Sequence, residues 1–185
     1  MEWNQYKIKI RDALDRFKFD EEILAVLKNS VLNDQKIFIA GNGGSAAISL
    51  HYACDLSKGA NKEWEKNKRR FQAICLSTNI SYLTAIANDT DYSRVFKEQL
   101  INLAKPNDIL ILISSSGNSP NIIEAAKYAK DNGLIVIGIT GFSGGKLKEL
   151  ADYNAHVQID SYEVSEDIHH IFGHFLTLYL NSALS

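Results

Sequence analysis

The stretch Ile113-Ser114-Ser115-Ser116-Gly117-Asn118-Ser119-Pro120 places four hydroxyls within six residues, where an apolar run ends and a helix begins. A helix N-terminus carries unpaired backbone N–H groups and the positive end of the helix dipole, so this junction suits an anion, above all a phosphate. An ordinary Ser or Asn cap would need one hydroxyl. Four exceed that need, and the loop is expected to bind phosphate.

Two other clusters could do acid–base or metal chemistry. His51 and Asp55 stand four apart on a predicted helix and so share a face. That spacing suits a metal or an acid–base pair equally well, and such a pair alone is more often a surface hydrogen bond. In the last segment, Glu166, His170 and His174 also step by fours, and three of the chain's five histidines (His169, His170, His174) lie within six residues. A carboxylate and a histidine on an apolar helix are costly to bury unless paired or metal-bound. His174, flanked by Gly173 and Phe175, is the functional candidate. His169 and His170 are expected to be the solvent-exposed polar start of the helix.

The elements that must position these groups follow from the apolar pattern. Asp108–Ile113 is short, apolar and β-branched, as a strand buried on both faces would be. Similar runs at Lys36–Ala40, Gln72–Leu76, Leu134–Ile139 and Tyr153–Ile159 give five strands in all. Helical patterns lie between them: Ala46–Lys58, Asn79–Ala87, Tyr92–Ala104, Asn121–Lys130 and a short one ending at Leu150. Asn88-Asp89-Thr90-Asp91 is a polar break. Alternating strands and helices imply a parallel sheet with right-handed crossovers. Gly41-Asn42-Gly43-Gly44-Ser45 and Ser114–Ser119 then both follow carboxyl ends of strands, where open α/β sheets place ligands. Residues 3–32 form a helical lead-in, with Phe19-Asp20-Glu21-Glu22 as a cap between two helices. Its apolar stripe can pack on the domain or on another subunit. The first glycine loop looks like a dinucleotide fingerprint only superficially. It lacks the third glycine, and no acidic residue ends Phe71–Leu76 to hold a ribose.

Bulk properties narrow the classes. The 185 residues suit one domain (1–185, with residues 1–34 as a helical packing segment), 45% hydrophobic and 23% charged. A net charge of −2 gives no electrostatic reason to expect nucleic acid or an anionic membrane. The one basic cluster, Lys62 to Arg70, alternates with Glu63 and Glu65 and is expected to be a solvated loop. No stretch is long enough to span a bilayer, Met1-Glu2-Trp3-Asn4-Gln5 lacks a signal core, and a cytoplasmic protein is expected. Cys54 and Cys75, far apart in apolar segments, are expected to be reduced core residues.

Taken together, Gly41-Asn42-Gly43-Gly44-Ser45, His51 with Asp55, Ala87-Asn88-Asp89, Ser114–Ser119 and Glu166 with His174 resemble the sugar isomerase (SIS) domain family and, within it, the phosphoheptose isomerases. The resemblance covers nearly the whole chain. It implies a three-layer α/β sandwich, doubly wound, with a five-stranded parallel sheet flanked by helices. It also implies a homotetramer with active sites at subunit interfaces. Ser114, Ser115, Ser116 and Ser119 match positions that hold the sugar phosphate. Asn42, Gly43, Ser45, Asn88, Asp89 and Glu166 match positions at the sugar. His51, Asp55, Glu166 and His174 match four positions that can bind Zn²⁺, and Asp55 with His174 would be the acid–base pair. The implied reaction interconverts sedoheptulose 7-phosphate and D-glycero-D-manno-heptose 7-phosphate through an enediol, toward lipopolysaccharide, capsule or S-layer heptose. Two positions depart from the family: Asp55 stands where Glu is usual and Glu166 where Gln is usual. Lys58 lies beside Gly59, where the family tends to carry Arg. Some relatives are non-catalytic phosphosugar sensors or adaptors, a reading that needs neither base nor metal.

Overall fold

The computed structural model describes residues 1–61, 65–66 and 70–183. Most of the basic Lys62–Arg70 cluster, and Leu184, lie outside the described residues. A six-stranded sheet in the order β1-β6-β5-β4-β2-β3 forms the middle layer. Its five parallel members are β2 (Lys36–Gly41), β3 (Gln72–Cys75), β4 (Ile109–Ser114), β5 (Ile135–Thr140) and β6 (Tyr153–His156). All six residues of β4 are buried, as a central strand covered on both faces requires.

Side-chain alternation along these strands feeds two cores. Ile37, Ile39, Ile109, Ile111, Ile113, Ile137 and Ile139 face α2 (Glu22–Leu32), α3 (Gly44–Cys54) and α8 (Tyr162–Ala183). Phe38, Ala40, Leu110, Leu112 and Val136 face α5 (Lys97–Leu103), α6 (Pro120–Asp131) and α7 (Gly145–Leu150). Each fully buried aliphatic side chain contributes about 1.5–3 kcal/mol of transfer free energy, so both faces drive the layering. α1 (Trp3–Arg16) lies outside this sandwich and packs Ala13, Ile10 and Tyr6 against Val164 and Ile168 of α8. Among the described residues, no helix is long and apolar enough to cross a membrane.

Several elements differ from the sequence pattern. The expected five-stranded sheet gains a sixth, antiparallel strand: β1 (Lys18–Phe19) pairs with β6 at Lys18↔His156 and Phe19↔Ala155. Two residues carry no readable period. Their placement comes from tertiary contacts instead: Phe17 and Phe19 pack on Phe172, with ring centroids 5.1 and 5.0 Å away. The Asn154 amide also donates to the Asp20 carboxylate at 2.7 Å. Phe19-Asp20-Glu21-Glu22 is therefore part strand, and α2 starts at Glu22. α4 (Ile80–Asp89) runs through Asn88 and Asp89 rather than breaking before them. Tyr92–Arg94 is a separate 3₁₀ turn ahead of α5. The helix after the glycine loop ends earlier than its pattern suggests. α3 stops at Cys54 and a π-helical turn, Asp55–Gly59, carries the chain on, with the Ala60 amide bonded to the Asp55 carbonyl. Such turns insert one residue into a helix and are frequent at functional sites. Cys54 is exposed, not a core residue; Cys75 is buried, and both are free thiols.

Candidate functional site

The sheet order reverses direction at β2. From there the chain moves outward to β3, then returns to β4 on the other side of β2. The crevice beyond the paired ends of β2 and β4, at Gly41↔Ile113, is thus a topological switch point, the usual ligand position in such sheets. A pocket of about 270 Å³ opens there, lined by Asn42–Ser45, Ser114–Ser116, Ser119 and, from α8, Tyr162 and Glu166.

Local geometry explains why the loops lie as they do. Gly43, at φ +55°, opens α3, and Ser119 opens α6 with Pro120 in its first turn, so two helix N-termini converge on the pocket. Ser119 makes no side-chain cap bond. The Ser115 hydroxyl is buried with no protein partner, which leaves it available to a ligand. The Ser114 hydroxyl accepts the Gly117 amide at 3.2 Å, and Ser116 accepts that of Asn118 at 3.3 Å, which fixes the turn. Gly117, at φ +63°, packs so closely on Gly144 that a Cβ would collide with the Gly144 carbonyl. Asn42 and Asn121 exchange amide hydrogen bonds of 2.9 and 2.8 Å and tie the glycine loop to the serine loop.

A second group sits along the adjoining faces of α3 and α8. Nε2 of His51 lies 3.2 Å from Asp55 Oδ2 and 3.1 Å from His174 Nε2. One ring nitrogen each from His51, His170 and His174 falls within 4.8 Å of the others. Three imidazoles and a carboxylate form a donor set that suits a divalent transition metal, Zn²⁺ among them. His170 titrates below its ordinary range because burial disfavours its charged form, and His51 and His174 add to the effect. The two helices are held by a small-to-large contact. Tyr52 is buried against Gly173, where any Cβ would meet its ring, and its hydroxyl donates to the His169 carbonyl. The residues next to that contact, His51 and His174, are thereby brought together.

Glu166 lies one turn nearer the pocket. A Cβ at position 44 would collide with its carboxylate, so Gly44 is what lets α8 approach α3 there. Burial raises the Glu166 pKa, and the charges of Glu163 and Asp167 raise it further. Beneath the serine loop is a buried polar group. The ring nitrogens of His169, Nε2 of His156 and the Ser165 hydroxyl are buried without hydrogen-bond partners. His169 is fully buried, and its pKa falls to about 4, chiefly through desolvation. The expectation of an exposed His169 fails because its side of α8 faces the sheet beside Thr140. The expectation for His170 also fails, since it is half-buried and points at His51 and His174.

The structure thus brings Asn42, Gly43, Ser45, the four serines and Glu166 into one pocket, and His51, Asp55 and His174 into the neighbouring cluster. Asn88 and Asp89 stand apart within this one chain. They are exposed at the end of α4 and hydrogen-bonded to each other at 2.8 Å. Sequence reasoning missed Tyr162 as a lining residue and His170 as a cluster member. For His170 the signal was present in its four-residue step between Glu166 and His174.

Comparison with known proteins agrees with this geometry. The SIS domain family model matches residues 5–141. A phosphoheptose isomerase of Aliarcobacter butzleri is 39% identical over 165 residues, 89% of this chain and 85% of that protein. A probable phosphoheptose isomerase of Thermoplasma acidophilum is 40% identical over 152 residues, 80% of this chain and 81% of that protein. Among solved structures, a phosphoheptose isomerase from Neisseria gonorrhoeae superposes with a TM-score of 0.79 at 32% identity, covering 86% of this chain and 83% of that one. One from Francisella tularensis gives 0.78 at 28% identity, covering 96% and 91%. The chain belongs to the SIS domain family and, within it, to the phosphoheptose isomerases.

Proposed function

We propose that the protein is an aldose–ketose isomerase of heptose phosphates, interconverting sedoheptulose 7-phosphate and D-glycero-D-manno-heptose 7-phosphate. One observation carries the reading. A pocket ringed by four serines and two helix N-termini adjoins a cluster of imidazoles and a carboxylate along α8, with Glu166 lining the first and His170 and His174, one and two turns on, belonging to the second.

Ser114, Ser115, Ser116 and Ser119, with the N-termini of α3 and α6, hold the phosphate. Asn42, Gly43, Ser45 and Glu166 face the sugar hydroxyls, and Asn88 and Asp89 are assigned to the sugar by their match to the family. The reaction moves one hydrogen between adjacent carbons. A base takes the proton from the carbon beside the carbonyl, and the carbonyl oxygen gains a proton to give an enediol. The carbon proton then returns to the neighbouring carbon while the other hydroxyl loses its own, with no net gain or loss of atoms. Asp55 and His174 are the acid–base pair in this proposal. Neutral imidazole is suited to both roles near pH 7. A bound Zn²⁺, held by His51, Asp55 and His174 beside Glu166, would polarise the substrate's oxygens.

A homotetramer fits the surface. Trp3, Ile8 and Leu14 on α1 and Ile171, Phe175, Leu178 and Tyr179 on α8 are exposed apolar side chains of the kind another subunit covers. The test of the activity is isomerisation of sedoheptulose 7-phosphate in D₂O, followed by nuclear magnetic resonance. The aldose should form with solvent deuterium exchanged at the reacting carbons. Absence of conversion and exchange with heptose, hexose and pentose phosphates alike would overturn the proposal.

A further inference from the structure

The residue that stands out in the cluster is His170. Its ring centroid is 4.5 Å from that of His51 and 4.8 Å from that of His174, and the His51 and His174 rings are 5.1 Å apart. Zn–N bonds of about 2.0–2.1 Å in a tetrahedral site put donor atoms roughly 3.3 Å from one another. Two separations already match: His51 to His174 at 3.1 Å and His51 to Asp55 at 3.2 Å. The largest separation in the triad, 4.8 Å, closes with modest side-chain rotation, and His170 is only half-buried and can turn. The Glu166 carboxylate is packed over Gly44 and lines the serine pocket with Tyr162.

From this geometry we infer that His170 is a direct ligand of the divalent ion, joining His51, Asp55 and His174. The inference rests on the reading that the cluster holds a metal. Two features support it. Neutral imidazole is a ligand well suited to Zn²⁺ and Co²⁺. The three histidines also come from only two helices, locked together by Tyr52 and Gly173, so the triad is organised before any ion arrives.

The test is titration of the full-length, chelator-treated protein with Co²⁺, reading the visible d–d bands, and with Zn²⁺ by competition against a chromophoric chelator. Wild type should bind with the intense bands of a four-coordinate site. His170→Gln should lower affinity by at least about tenfold and weaken or shift the bands, and His170→Cys should restore binding with an added thiolate charge-transfer band. If His170→Gln matches wild type in affinity and spectrum, the assignment of His170 is overturned while the metal reading stands. If wild type binds neither ion, the metal reading itself fails. Circular dichroism of each variant separates loss of a ligand from loss of fold.

Discussion

The serine pocket and the histidine cluster are neighbours built on different principles. The pocket is made by the sheet: its loops leave β2 and β4 at the switch point, its glycines set the turns, and the Ser114 and Ser116 hydroxyls are tied to backbone amides of their own loop. The cluster is made by side chains on two helices and leans on one close contact, Tyr52 against Gly173. The pocket is sunk at the carboxyl ends of β2 and β4, whereas His174 is exposed beside an apolar surface. Holding a phosphate tolerates a generic device that topology supplies. Moving a proton requires particular atoms at particular distances, which only paired helices supply here.

The largest effect should come from removing the chemistry while sparing the anchor. His174→Ala is expected to lower kcat by about 10²–10⁴-fold, the usual contribution of a positioned acid or base. Calorimetric affinity for the phosphosugar should change little, and equal loss of both would break the division of labour. Gly173→Ala attacks the cluster's scaffold instead. It forces a methyl into the Tyr52 ring and should cost about 3 kcal/mol in chemical denaturation, with kcat falling more than KM rises.

A third test addresses the buried layer beneath both regions. His169 has a folded pKa near 4, below its unfolded value of about 6.5. Above pH 6.5 both states are mainly neutral and the residue adds little pH dependence to stability. As pH falls from 6.5 toward 4, only the unfolded chain takes up the proton, so stability is lost across that window, by about 2 kcal/mol between pH 7 and pH 5. His169→Leu should flatten that part of the pH–stability curve; an unchanged curve would mean that another group carries it. The smallest effect belongs to a single hydroxyl of the anchor. Ser119→Ala should raise KM roughly tenfold with kcat nearly unchanged, because one hydrogen bond among several to a charged group is lost.

How much of this was legible in the chain itself follows the same division. The central strands were readable because Ile109–Ile113, Ile37–Ala40 and Leu134–Val136 are apolar runs, and the ligand loops were readable because they follow such runs. β1 was not, since Lys18 and Phe19 owe their strand to Phe172, distant in sequence. The four-residue steps at His51–Asp55 and Glu166–His170–His174 announced shared faces, and the structure bears those faces out. They could not say which face each helix turns inward. Hence His169, polar and apparently at a wet helix start, proves fully buried, while Cys54, in an apolar segment, proves exposed. Rotation of a helix about its axis is decided by what it packs on, and a window of local residues does not contain that information.

The late position of α8 has a temporal meaning. The loops proposed to hold phosphate have been made once residue 119 is in place, but Glu166, His170 and His174 follow roughly fifty residues later, on the order of several seconds of synthesis. During that interval the serine loop exists without Tyr162 and Glu166, the α8 side chains that complete its pocket. Any truncation in the connection between β6 and α8 would also strip Phe172, Leu176 and Leu180 from the core, so the anchor and the reaction centre are finished by the same late helix.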